Sequence, residues 1–303
     1  MIRILLADKL NLRVVELLRE IPEFDIVEKI SLKPDKLKEE IRNHDAAVVR
    51  SAVKLTSDIL EHAQNLKIIV RAGIGLDNVD VAYAGSRNIE VRNTPFATSI
   101  TVAEYTLAHM LGICRFIGPA YKSMKEHKWE KGILSKGMEL YGKTAGIIGF
   151  GRIGREVAKR ELAMGMKVVY FDTIDIETDI EVRQVTLDEL LTISDFISIH
   201  LPLTESTENL ISGSEFDKMK KNVVLINVAR GGVVDETALL TAVQEDKIKA
   251  VAIDVYEKEP PVNFKLIDNE KVFPAPHLGA STIEGQERAG LNVISILKDF
   301  FTV

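Results

Sequence analysis

One stretch, GIIGFGRIG from Gly146 to Gly154, constrains this chain more than any other. Its glycines Gly149, Gly151 and Gly154 follow the apolar run Ala145–Ile148, and a segment of helical periodicity, REVAKRELAMGM, comes after them. On that helix Ile153, Val157 and Met164 are expected to share the inward face. The next apolar run, KVVYF, ends at Asp172, close to the separation of roughly 20 residues that joins a phosphate-binding turn to a ribose-binding acid. A G-x-G-x-x-G spacing alone can be an ordinary tight turn without a ligand. Here the strand before it, the helix after it and the acid beyond them are all in place. The spacing therefore predicts a dinucleotide site. Gly149 permits the turn, Gly151 admits a pyrophosphate to the backbone, and Gly154 lets helix and strand pack closely. Arg152 and Ile153 open the helix, whose free N–H groups and positive dipole end face the phosphates. Asp172 can accept from a ribose diol and repels a 2′-phosphate, so the expected cofactor is NAD rather than NADP.

What surrounds this motif sets the architecture. In the second half, TAGIIGFG, KVVYFD, FISIHLP, NVVLINVARGG, VAIDVY and VFPAPH are apolar runs of the kind found in parallel strands covered on both faces. The first half has its own series, IRILLAD, FDIVEKI, DAAVVRS, LKIIVRAG and IEVRNT. Helix-like segments lie between them, with Leu37 and Ile41 at helical spacing. Strands alternating with helices imply parallel, doubly wound sheets. With 303 residues there is room for two α/β domains. We expect a smaller substrate-binding domain over residues 1–98 and an NAD-binding domain over 99–281, joined near Thr94–Ser99. An apolar helix runs through AEYTLAHMLGICRF, and a last helix covers 282–303.

Composition narrows the partners. A net charge of −6, with acids and bases interspersed, argues against a nucleic-acid surface. No apolar stretch reaches membrane-spanning length, and Asp8 and Lys9 interrupt the N-terminal run too early for a signal peptide. The single cysteine, Cys114, fits a reducing compartment, so a cytoplasmic location is expected. Nothing in the spacing of His, Cys, Asp and Glu predicts a metal site.

In an open parallel sheet, ligands bind beyond the carboxyl ends of the strands. Of six histidines, only His200 and His277 end strands of the nucleotide half. Position alone does not choose between them. Arg230 follows a strand so apolar that a charge there needs a reason, although capping a turn would be one. Asp254 and Glu259 close another strand. An arginine, a carboxylate and a histidine at one sheet edge suit hydride transfer. The histidine takes the alcohol proton, the carboxylate orients it, and the arginine holds an anionic substrate. In the first half, Arg50 and Ser51 end one strand. Arg71 ends the next, before the turn Ala72-Gly73-Ile74-Gly75, whose N–H groups are expected to form an anion-binding nest. Two arginines and a nest point to a substrate with more than one negative charge.

Taken together, RAGIGLDNVD, GKTAGIIGFGRIGREVA, NVARGGVVDETAL, AIDVYEKEP and PHLGAST resemble the D-isomer-specific 2-hydroxyacid dehydrogenases over nearly the whole chain. Within that family the resemblance is closest to the phosphoglycerate dehydrogenases. It implies that Arg230, Glu259 and His277 are the catalytic set. His200, Leu201, Pro202, Val228, Ala229, Arg230, Asp254, His277, Gly279 and Ala280 would join the glycine loop in lining NAD. Arg50, Ser51, Arg71, Ala72, Gly73 and Ile74 would hold substrate. It further implies a Rossmann domain, a flavodoxin-like substrate domain to which the last helix returns, and a homodimer formed through the NAD-binding domain. The implied reaction is NAD-dependent oxidation of 3-phospho-D-glycerate in serine biosynthesis, by a short form without a C-terminal regulatory domain. Two alternatives compete with it. One is a glyoxylate, hydroxypyruvate or other small D-2-hydroxyacid dehydrogenase. The other is an NADH-sensing binding protein like the corepressors that resemble this family.

Overall fold

In the computed structural model, which describes residues 1–262 and 264–303, the chain divides into two compact units. One comprises Met1–Ser99 with Ala280–Val303, the other Ile100–Gly279. The first unit holds a five-stranded sheet made of β1 (Ile2–Leu6), β2 (Phe24–Glu28), β3 (Ala46–Val49), β4 (Ile68–Arg71) and β5 (Glu90–Asn93). Their order is β2-β1-β3-β4-β5 and every pairing is parallel, which is the flavodoxin-like arrangement. Apolar residues on both faces of these strands force a three-layer build. Ile4, Leu6, Val48, Ile68 and Val70 pack on one side, with Val14 and Leu18 of the helix Leu12–Arg19. Leu5, Ala47, Val49 and Ile69 face Leu37, Ile41 and Leu60 on the other.

The last helix, Ile283–Phe301, belongs to this first unit. Thr282 caps it by accepting from the Gly285 N–H at 3.0 Å, and Ala289, Val293 and Leu297 enter the same core as Val14. Fully burying side chains such as Val293 and Leu297 stabilises the unit by roughly 1.5–3 kcal/mol each. Arg288 adds a tie from Nε to the Ala97 carbonyl at 3.0 Å.

The second unit contains β6 (Thr144–Ile148), β7 (Lys167–Phe171), β8 (Arg183–Gln184), β9 (Phe196–Ile199), β10 (Val223–Asn227), β11 (Ile248–Ile253) and β12 (Val272–Pro274). They form a parallel sheet in the order β12-β11-β10-β9-β6-β7-β8. The reversal between β6 and β9 is the Rossmann switch point, where ligand crevices form. All eleven expected strands are present. The twelfth, β8, is only two residues long and lacks the apolar run that would announce it. The apolar helix expected from residue 103 spans Ser99–Cys114, and Phe116 at φ 52° then turns the chain into a second helix, Ile117–Lys125. Among the described residues no single helix is long and apolar enough to cross a membrane.

One expectation about the core fails. The helix after the glycine loop, Arg152–Ala163, ends one residue before Met164, because Gly165 at φ 75° reverses the chain there. Met164 is consequently 42% exposed, and the inward face is instead Gly154, Val157, Ala158 and Glu161.

Candidate active site

The glycine loop has the geometry that a dinucleotide needs. Gly149 adopts φ 93°, where a side chain is strained, and a Cβ there would stand 2.8 Å from Leu201 Cδ2. At Gly154 a Cβ would lie 2.3 Å from the Gly149 carbonyl oxygen, so the helix could not approach the strand. Gly151 differs. No atom lies within 4 Å of where its Cβ would be, and it heads the helix Arg152–Ala163 with no side-chain cap. Room for a pyrophosphate and uncapped helix N–H groups therefore coincide. Asp172, immediately after β7, accepts the Phe150 N–H through Oδ2 and the Thr173 N–H through Oδ1, both at 2.8 Å. The acid thus ties the glycine loop to the second strand of the nucleotide fold. Each carboxylate oxygen keeps further acceptor capacity for a diol.

The two strand-end histidines of the second unit lie in different settings. His200 follows β9; its Nε2 lies 3.0 Å from Ser198 Oγ, and its enclosed Nδ1 has no partner among the described residues. Burial pushes its pKa down to about 3, so it is neutral and a poor proton carrier. Its backbone carbonyl flanks Gly149. His277 has a different setting. Its Nδ1 stands 2.8 Å from Glu259 Oε2, and its side chain is 41% exposed. Burial works to raise the Glu259 pKa. The hydrogen bond and charge of His277, the Tyr256 N–H at 3.2 Å and the Arg230 charge outweigh it and hold the carboxyl below its ordinary value. An ionised Glu259 can only accept, which assigns the proton to His277 Nδ1 and leaves Nε2 to exchange a proton with an alcohol. Of the other histidines, His44 and His109 are both driven toward the neutral form by burial.

His277 sits in the left-handed region at φ 55°, and the turn around it is held from behind. Asp254, directly after β11 and fully buried, accepts the Leu278 N–H through Oδ1 and the Gly279 N–H through Oδ2, each at 2.8 Å. Tyr105 adds its hydroxyl to Oδ1 at 3.3 Å. The carboxylate expected to line the nicotinamide is thus enclosed by protein donors, and in this structure it braces the histidine turn. Sequence reasoning missed this partnership, since Tyr105 is 149 residues away from Asp254. Arg230 follows β10 on a loop fixed by Asn227, which donates to the Arg230 carbonyl at 3.2 Å and accepts from the Ala229 N–H. Its own Nη1 donates to the Ala229 carbonyl at 2.6 Å.

In the first unit, Arg50 follows β3 and Arg71 ends β4 on neighbouring strands. The Arg71 guanidinium lies across Gly73: a Cβ on that glycine would be 1.6 Å from Nη1. Only glycine leaves the arginine this position. The anion nest is smaller than expected. The Gly73 N–H turns inward to the Arg71 carbonyl at 2.9 Å, so the turn offers the N–H groups of Ile74 and Gly75 only. No group of His, Cys, Asp and Glu suited to a metal ion occurs among the described residues.

Comparison with known proteins decides the family. The model for the D-isomer-specific 2-hydroxyacid dehydrogenase NAD-binding domain matches residues 107–279. This chain belongs to that family. It is 48% identical to a hydroxypyruvate reductase of Thermotoga maritima over 96% of both chains. It is 42% identical to a D-3-phosphoglycerate dehydrogenase of Methanocaldococcus jannaschii, over 98% of this chain but 57% of that longer protein. Among solved structures, D-lactate dehydrogenase from Aquifex aeolicus, complexed with NAD and lactic acid, superposes with a TM-score of 0.85 at 28% identity, covering 99% of this chain and 95% of that one. The chain is therefore an NAD-dependent D-2-hydroxyacid dehydrogenase. NAD, when bound, would supply the nicotinamide for hydride exchange with the substrate carbon. Gly149, Gly151 and Gly154 fit that cofactor on the geometry above.

Proposed function

We propose that this enzyme interconverts 3-phospho-D-glycerate and 3-phosphooxypyruvate, the step that commits this carbon skeleton to serine biosynthesis. The observation that carries the reading is the pair Arg50 and Arg71 on adjacent strand ends, with the Arg71 guanidinium laid over the Gly73 turn. A phosphorylated acid has two anionic groups and needs cations for both. In this reading Arg230 and the Gly73 turn serve the carboxylate and reacting oxygen, and Arg50 and Arg71 serve the phosphate. Ser51, Ala72 and Ile74 complete the substrate residues. His277, oriented by Glu259, takes the hydroxyl proton during oxidation and returns it during reduction. Asp172, Arg152, Ile153, His200, Leu201, Pro202, Val228, Ala229, Gly279 and Ala280 line NAD, and Asp254 supports that wall.

A second reading is reduction of hydroxypyruvate or glyoxylate. It draws support from the Thermotoga maritima relative, whose name specifies hydroxypyruvate and which this chain matches over 96% of its length. Turnover with 3-phosphooxypyruvate, hydroxypyruvate and glyoxylate separates the two. The proposal requires the highest kcat/KM for the phosphorylated acid, and Arg71→Ala must cut it by about ten- to hundred-fold more than for glyoxylate, as loss of one charge-assisted contact implies. Equal losses would favour the second reading. We also propose a cytoplasmic homodimer. The exposed Tyr121, Met124, Trp129, Ile133 and Tyr141 of the second unit support it, because so many exposed large apolar groups within one short segment of chain favour a partner. Sedimentation at micromolar concentration tests this, a monomer being the contrary result.

A further inference from the structure

The loop that follows β3 presents Arg50 and Ser51, and two side chains from other elements grip its backbone on both sides. Asp8, just past the carboxyl end of β1 and 4% exposed, accepts the Arg50 N–H at 2.6 Å and the Val53 N–H at 3.2 Å through a single oxygen, Oδ2. Asn78, in the segment after β4, donates through Nδ2 to the Arg50 carbonyl at 2.8 Å and the Val53 carbonyl at 2.6 Å. The donor and the acceptor of both flanking residues are thereby satisfied. Asn78 is anchored in turn, because its own carbonyl accepts the Leu55 N–H at 2.8 Å. Strands β1, β3 and β4 are neighbours in the sheet, so the grip joins the segments that follow three adjacent strands.

The residue types match their tasks and are not interchangeable. A carboxylate only accepts, and Asp8 meets two donors. A primary amide has two N–H donors on one nitrogen, and Asn78 meets two acceptors. Enclosing a carboxylate costs free energy unless hydrogen bonds offset it. Here those bonds are spent entirely on one surface loop, a kind of segment that is otherwise mobile. Within the reach of Asp8 and Asn78, the groups that gain from a fixed loop are Arg50 and Ser51. The guanidinium of Arg50 is steadied further by Nη1 donating to the Lys9 carbonyl at 3.2 Å.

We infer that Asp8 and Asn78 are positioning residues for substrate capture, holding Arg50 and Ser51 in the conformation that receives the acid. This rests on the reading above that Arg50 contacts substrate. Preorganisation of this kind acts on binding, since a loop that visits the competent geometry a tenth of the time weakens apparent affinity about ten-fold. The test is steady-state kinetics of the full chain with NADH and, separately, 3-phosphooxypyruvate and hydroxypyruvate. Asn78→Asp sets a carboxylate against two carbonyl oxygens, and Asn78→Ala removes the donors without adding charge. Both should raise KM about ten-fold or more while kcat changes less than about two-fold. Asp8→Asn keeps an acceptor oxygen and should stay within a few-fold of the parent, whereas Asp8→Ala should behave like Asn78→Ala. NADH affinity, followed by fluorescence, should be constant throughout, and melting curves identify any variant that fails to fold. Arg50→Ala runs in parallel. If it raises KM and the Asn78→Ala and Asp8→Ala variants do not, or if those variants lower kcat with KM unchanged, the positioning role is overturned. If Arg50→Ala itself leaves KM unchanged, the substrate assignment of Arg50 falls, and the inference built on it falls too.

Discussion

Glu161 is a buried acid whose removal should make the protein more stable, by an amount that depends on pH. It lies on the inward face of the helix Arg152–Ala163, 1% exposed, and its Oε2 has no hydrogen-bond partner among the described residues. Burial alone pushes its pKa from 4.5 up to about 8. Between those two values the native chain keeps a proton that the unfolded chain has released. Native stability therefore falls as pH rises through this window, by about 1.4 kcal/mol per pH unit, and levels off above the folded pKa. At pH 7 the accumulated cost is on the order of 3 kcal/mol. Glu161→Gln preserves the shape of the side chain and has no proton to lose. It should match the parent near pH 4 and exceed it at pH 7 by that amount, or roughly 6–12 °C in the melting temperature of a domain of this size. Melting curves of both proteins without NADH, from pH 4.5 to 8.5 at constant ionic strength, measure the gap directly. Leaving out the cofactor matters because ligand binding adds its own stabilisation. A gap that stays constant across the range, whatever its size, would show that the Glu161 carboxyl is ionised in the folded chain and would refute the reasoning.

Three further outcomes concern the site. His277→Ala should lose about 10²–10⁴-fold in kcat with NADH binding intact, while His200→Ala should keep its chemistry; single-turnover rates check both. Glu259→Gln takes away the anion that accepts from His277 Nδ1, so kcat for oxidation should fall, though less than in His277→Ala, which steady-state rates read. Asp172→Asn retains an acceptor for the Phe150 N–H but not the charge. NADP should gain on NAD in kcat/KM, and an unchanged cofactor ratio would remove Asp172 from that role.

What the sequence disclosed follows the range of the forces involved. Strands such as Val223–Asn227 are buried along their whole length and announce themselves as unbroken apolar runs. The glycine loop is legible for a related reason, since Gly149 and Gly154 answer steric demands made by residues close in sequence, or by the strand beside them. The two-residue β8 buries too little to leave such a mark. Met164 departs from the periodic pattern because helical periodicity continues on paper past the point where Gly165, in the left-handed region, ends the helix, and the residue just beyond that end turns outward. Glu161, one turn after Val157, is carried inside by the helix itself, and no local pattern marks a buried acid without a partner. Functional groups divide in the same way. The positions of Arg230, Glu259 and His277 at strand ends are local facts, but the 2.8 Å contact that separates His277 from His200 forms across 18 residues. The bonds that fix the neighbouring turns reach further still, 42 and 28 residues for the grip of Asp8 and Asn78 on Arg50, and 149 for Tyr105 on Asp254. A motif records which groups do chemistry because they need a particular type at a particular strand end. The residues that hold them still can come from any element the topology brings alongside, and only the folded sheet order says which elements those are.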